Sequence, residues 1–299
     1  MNIRAVLSAA VLVLVIVLRG TSAQSEATWQ EQKAFIIKAH EAALTMNLED
    51  TPRRFCAISD KSSTPNTKND LRTVLKLFQI IGYDARLSFV DKIDACPTET
   101  NIFLRLHSRT RVDQTLFAAD LKYVNPLGAH NWLRRFEKGN ATGLTGLGWI
   151  STKERTNYNA YIALNTFEAD LLQHRRSFFL AFATQELYQA ITLAKDITVH
   201  DKPTSILEEW VDPRLIAEMK RAGVKRSRDI LPTLLLAKGW YPQHSPRNLC
   251  PKDIAASLYL NNKNVRKMQT RTQSIWIDLA IRRIAIEARE AGIGEFTCE

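Results

Sequence analysis

The sequence is thin in the residues that mark special architectures. Glycine occurs 11 times and proline 10 times in 299 residues, which excludes a collagen-like or Pro/Gly-rich low-complexity chain. Cysteine occurs four times. No CxxC or CxxH spacing accompanies it, which argues against a structural zinc knuckle. Beyond the N-terminal stretch, no apolar run is long enough to span a bilayer, so a polytopic membrane protein is excluded. Acidic residues are in deficit, 31 against 41 Lys and Arg, for a formal net charge of +10. No internal repeat is found. What remains is an ordinary globular mixture, 45% hydrophobic and 24% charged, long enough to bury a substantial core.

The N-terminal stretch reads as an address. Met1–Arg4 is short and basic, and Ala5–Leu18 is an apolar run of 14 residues broken only by Ser8. Small residues follow at Thr21-Ser22-Ala23. This pattern predicts a secretory signal peptide over 1–23, since a helix needs about 20 apolar residues to cross a bilayer. The expected location is extracytoplasmic, secreted or periplasmic, with no transmembrane segment after cleavage. An even number of cysteines, Cys56, Cys96, Cys250 and Cys298, suits an oxidising compartment. Four cysteines admit three pairings. Cys56–Cys96 and Cys250–Cys298 are favoured because each encloses a contiguous part of the chain. Loops of about 40–50 residues would each contribute roughly 3–4 kcal/mol. Asn140-Ala141-Thr142 is a glycosylation sequon, meaningful only in a eukaryotic secretory route.

Periodicity predicts a helix over Thr28–Met46, an exposed loop over Ser59–Lys68 and a helix over Asn69–Ile81 stopped by Gly82. Tyr83–Val90, Thr100–His107 and Asn157–Phe167 read as strands. Pro126–Thr152 holds five glycines. Its Gly143-Leu-Thr-Gly146-Leu-Gly148 lacks both the Walker ending and the GxGxxG spacing, so it reads as a turn-rich connection. Arg175–Ile191 is a strongly apolar helix. Asp212–Ala222, Ser227–Lys238, Pro251–Leu260 and Thr272–Ala291 are further helical segments. The expected class is α+β, a small sheet packed on helices with a mainly helical C-terminal part.

The chemistry-bearing segment lies in the apolar helix: Gln185-Glu186-Leu187-Tyr188-Gln189. In a zinc peptidase, HExxH sets two imidazoles one turn apart to bind zinc. The glutamate beside them takes a proton from the metal-bound water. Here the spacing survives with Gln in both ligand positions. A glutamine carbonyl is a poor zinc donor, so no metal site and no cofactor are expected. Glu186 stays where a general base would sit, and Gln185 and Gln189 would line the cleft. The same spacing also arises on any polar helix face. No two of His40, His107, His130, His174, His200 and His244 stand at i,i+3 or i,i+4, and no G-x-S-x-G elbow is present.

With its flanks, this segment resembles a family of exported bacterial proteins, domain of unknown function 2927, whose members look like degenerate zincins. Their hallmark helix runs E-E-L-x-Q-A-L-G, followed by N-D and then S-I-F. Gln185-Glu186-Leu187-Tyr188-Gln189-Ala190-Ile191 answers to the helix, Lys195-Asp196 to the Asn-Asp and Thr204-Ser205-Ile206-Leu207 to the S-I-F stretch. Asp212-Pro213-Arg214-Leu215 resembles a later D-P-x-L, and Asn101-Ile102-Phe103 an N-I-x strand. Gln185, Thr192 and Lys195 replace the family's acid, glycine and asparagine. The likeness covers residues 65–240. It implies a zincin-like α+β domain over 24–240, with a helical extension over 241–299 packed on it.

Basic residues gather at Lys220, Arg221, Lys225, Arg226 and Arg228, and again at Lys263, Arg266, Lys267 and Arg271, followed by Arg282 and Arg283. No nucleic-acid motif accompanies them, and aromatics do not interleave with them. A solvated basic helical face is the favoured reading. An anionic polysaccharide or another envelope component is the partner class such helices would suit. Three functions follow in order. The first is an exported zincin-like protein without a zinc site, in a non-catalytic binding or envelope-associated role. The second is a secreted peptidase-like hydrolase using Glu186 as general base. The third is a helical secreted interaction protein with a basic surface.

Overall fold

The structure is a computed structural model. It describes residues 28–45, 51–59, 65–107, 114–126, 133, 147–154, 157–166, 173–195, 197–199, 205–210, 221 and 249–293. The segment read as a signal peptide, Cys298, Asn140 and, apart from Arg221, the two helices expected over 212–238 lie outside them.

Five strands form one sheet: β1 (Arg53–Ser59), β2 (Ala85–Val90), β3 (Ile102–His107), β4 (Leu147–Glu154) and β5 (Asn157–Asn165). Their order is β2-β1-β3-β5-β4. The first four in that row run parallel, and β4 pairs antiparallel with β5 at the edge. The protein is thus α+β, with helices covering both faces of the sheet. Central parallel strands buried on both faces lose the alternation of a half-exposed strand, and every residue of β3 is buried.

The larger core lies on one face. Phe55 and Ala57 of β1, Ile102, Leu104 and Leu106 of β3, and Tyr158, Ala160, Ile162 and Leu164 of β5 point into it. Helices supply the facing layer. They are α1 (28–39), α2 (Glu41–Thr45), α3 (Pro65–Ile81), α5 (Gln173–Thr192), α6 (Pro251–Leu260), α7 (Lys263–Lys267) and α8 (Thr270–Glu290). α6 and α8 both pack on α3, so the C-terminal helices share this core. The indole of Trp29 donates to Gln273 at 3.2 Å and joins α1 to α8. A smaller pair of parallel strands, β6 (Ile197–Val199) and β7 (Glu208–Trp210), follows α5.

The opposite face carries α4 (Gln114–Val124) and the connection from β2 to β3. That connection passes from one side of β1 to the other with only a 3-10 turn, Ile93–Ala95, for regular structure. A disulfide from Cys96 to Cys56 in β1 fastens it, as expected from the sequence. Closing a loop of this length contributes about 4 kcal/mol in the chain-entropy account. Cys250 is disulfide-bonded as well. The sheet's second face also buries an ion pair. Arg105 in β3 donates from Nε and a terminal nitrogen to the two carboxylate oxygens of Asp120 in α4, each at 2.7 Å, and the Tyr161 hydroxyl donates to the same carboxylate at 2.7 Å.

Several expectations need correction. The helix expected over Thr28–Met46 is interrupted at His40, although the backbone bonds His40 N to Ile36 O and Leu44 N to His40 O carry the path onward. α3 begins at Pro65, inside the stretch read as loop, with proline at the helix start where no amide hydrogen is needed. The segment around Pro52 leads straight into β1, a strand the periodicity did not predict. Leu147 and Gly148 belong to β4 rather than to a turn-rich connection.

Candidate functional site

The helix α5 follows β5 in the chain and packs against it and against β4. Its buried residues set its orientation. Phe179, Ala183, Leu187, Ala190 and Ile191 enter the core, and Thr184, Tyr188 and Thr192 are buried beside them. Gln185, Glu186 and Gln189 fall on the remaining arc of about 100°, and all three are half-buried. None of the three stands without a partner. The i, i+1, i+4 spacing therefore does what a zinc-peptidase helix requires of it: it gathers three side chains on one face. The donor set does not fit zinc. Two neutral amides occupy the positions where imidazoles would bind, and an amide offers only a weak carbonyl oxygen. Among the described residues, no group of three His, Cys, Asp or Glu side chains gathers as a metal site would need. The side chains of His130, His174, His200 and His244 lie outside that set.

The rear of α5 is pinned by a chain of buried polar groups. The Tyr188 hydroxyl lies 3.1 Å from the backbone oxygen of Asp253 in α6 and 3.1 Å from Nε2 of His40. Nδ1 of His40 donates to Ile36 O at 3.1 Å. With Nδ1 protonated, neutral His40 presents a bare Nε2. The single Tyr188 hydrogen then faces two acceptors. A protonated His40 would satisfy every link, yet it would place a cation where His40 has no exposure. Desolvation wins: burial lowers the His40 pKa from 6.5 to about 4, against the raising effect of the Ile36 carbonyl. Burial also raises the Tyr188 hydroxyl well above its ordinary value.

Asp253 extends the chain. One carboxylate oxygen accepts from the amides of Ile206 at 2.9 Å and Cys250 at 2.8 Å, and the other accepts from the Ser205 hydroxyl. Leu207 N donates back to Ser205 Oγ at 3.1 Å. The Ser205-Ile206-Leu207 stretch singled out in the sequence is thus held at the α5–α6 junction. The end of α5 is tied to the sheet: a terminal nitrogen of Arg53 in β1 donates to Ile191 O at 3.3 Å, where a cation suits the helix dipole. Leu193 just beyond has a φ of 52°, the left-handed conformation that commonly closes a helix.

Other singled-out residues lie elsewhere. Lys195 is an exposed side chain whose Nζ stands 3.4 Å from Glu41. Asp196 and 212–215 are outside the described residues. Asn101 is structural: its side chain accepts from Arg54 N at 2.9 Å and donates to Pro52 O at 2.8 Å, aligning β3 with β1. Arg266 donates to the carbonyls of Leu260 and Tyr259 at the end of α6, so it caps a helix rather than forming part of a basic patch. Of the first basic cluster only Arg221 is described, and it is exposed.

Sequence reasoning missed His40, Tyr188, Asp253 and Ser205 as one assembly. No family model, curated protein or solved structure matches the chain. Among the described residues, no helix is long and apolar enough to cross a membrane.

Proposed function

We propose that the protein is an exported, zincin-like protein without a zinc site, whose altered motif helix serves binding in an envelope-associated role. One observation carries this reading: Gln185, Glu186 and Gln189 share a half-buried face on a helix that lies against β5 and β4. The resemblance asks for a strand-lined helix carrying the motif, and the order β4, β5, α5 supports it. So does the placing of Ser205–Leu207 beside that helix through Asp253. The disulfides support export, because such bonds persist in oxidising compartments. Neutral amides in place of imidazoles favour hydrogen bonding to a polar ligand over hydrolysis.

The test is a thermal-shift screen of the purified chain against peptides and anionic polysaccharides, repeated on Gln185→Ala/Gln189→Ala. A ligand that raises the melting temperature of the parent and leaves that of the double variant unmoved supports the reading. Stoichiometric zinc in the parent that is lost from the double variant would overturn it. Turnover of a peptide or glycan, abolished in Glu186→Ala while folding persists, would replace it with the hydrolase reading.

A further inference from the structure

The outer face of α8 departs from an ordinary solvated helix. Its inner face is buried through Gln273, Ser274, Ile277, Ala280, Ile284 and Ala288. The opposite side should be polar. Instead it shows Ile275, Leu279 and Ile286, exposed at 50%, 62% and 58%. Three of the seven large apolar side chains that stand exposed among the described residues therefore sit on this one helix. At 3.6 residues per turn they fall within about 40° of arc and run for about 16 Å along the axis. Arg271, Arg282 and Arg289, all exposed, line one flank of that ridge, spanning about 27 Å. Asp278 is the one acid on that flank. Arg283 lies on the other flank, with its Nε 3.3 Å from Glu287, and Glu290 lies near it.

We infer that this ridge is a docking surface for an anionic phospholipid bilayer. Three side chains within about 40° of one helix form a ridge rather than a concave pocket of the kind small ligands take. A flat surface meets such a ridge along its whole length. The chemistry is paired in the way an interfacial helix requires: aliphatic side chains at the acyl boundary, with arginines beside them at the level of the phosphates. An antiparallel copy of α8 is the poorer occupant, because a two-fold pair would set the arginine row against its own image. The surface lies on the C-terminal helix and does not depend on the zincin reading of α5.

The test is co-sedimentation of the full chain with vesicles of phosphatidylcholine containing phosphatidylglycerol, and with vesicles of phosphatidylcholine alone. The protein should pellet with the anionic vesicles only. Partitioning should fall roughly fivefold for each arginine removed in Arg271→Gln, Arg282→Gln and Arg289→Gln combined stepwise. Ile275→Ser/Leu279→Ser/Ile286→Ser should abolish it with the fold intact by circular dichroism. In the unaltered protein, rising salt should release the pelleted fraction, which reads the same property without a variant. Failure to pellet with anionic vesicles at low salt overturns the proposal, as does pelleting that the ridge or arginine variants leave unchanged. A dimer in light scattering that the ridge variant dissolves would assign the surface to a second copy and also overturn it.

Discussion

The two faces of the sheet bury polar groups by opposite means. Under α4 the network is ionic and closed: Arg105 meets Asp120 with two parallel hydrogen bonds, and Tyr161 completes the carboxylate. Arg105, Asp120 and Tyr161 satisfy one another there, across one helix and two neighbouring strands. On the α5 face the network is an open chain through a neutral imidazole, a tyrosine hydroxyl, a backbone carbonyl and the Asp253 carboxylate. Its links join α1, α5, α6 and the Ser205–Leu207 segment. The first network fastens a single helix to the sheet. The second fixes how several helices sit around the one that carries Gln185, Glu186 and Gln189. A closed ionic network is costly to break at one member. An open chain that runs through a neutral imidazole is sensitive to protonation instead.

The sharpest break is Asp120→Ala. It leaves the Arg105 cation buried with its carboxylate gone, and should cost about 3–5 kcal/mol in urea unfolding. Replacing both partners, Arg105→Met with Asp120→Leu, should recover most of that loss. A cost under about 1 kcal/mol for the single variant would show that the pair is not what holds α4. The second break is acid. The folded His40 pKa is depressed to about 4 from 6.5. The unfolded chain therefore binds this proton first as pH falls. The contribution of His40 to stability is complete above about pH 6.5 and is lost between there and about pH 4, by roughly 3 kcal/mol. Unfolding free energies across that window should slope downward in the parent and flatten in His40→Gln. Parallel curves for the two proteins would dismiss His40 as the acid-sensitive link. A smaller effect is expected of Tyr188→Phe, about 1–2 kcal/mol, because it removes one hydroxyl while keeping the ring in the core. No loss of stability in that variant would mean the hydroxyl links nothing.

How much of this was legible in the sequence depends on the range over which each feature is written. α6 matches the expected Pro251–Leu260 in both ends, because a proline start and a strong apolar period are local signals. β3, β5 and α5 are also found where the pattern put them, within a few residues. β1 escaped notice although it lies inside the sheet. Its apolar run Phe55-Cys56-Ala57-Ile58 is continuous and short, and arginines and Pro52 precede it. A strand covered on both faces shows no alternation to detect. β4 escaped because its glycine looked like a turn. The common face of the Gln-Glu-Gln set was readable from spacing alone. The chain behind it was not: His40 and Tyr188 are 148 residues apart, and Tyr188 and Asp253 are 65 apart. No local pattern marks residues that only tertiary packing unites.

The mildest expected effect separates the two sides of α5 itself. Tyr188 faces the core and Glu186 faces the half-buried arc, two residues away on the same helix. Glu186→Gln keeps size and helix propensity and removes only the charge. If the arc is a binding surface rather than part of the scaffold, urea unfolding should move by less than about 0.5 kcal/mol. The affinity for a ligand found in the thermal-shift screen should change with it. A stability loss of about 2 kcal/mol or more would place the Glu186 carboxylate among the scaffold's buried partners. The contrast between Tyr188→Phe and Glu186→Gln then measures, within one turn of helix, where the fold ends and the site begins.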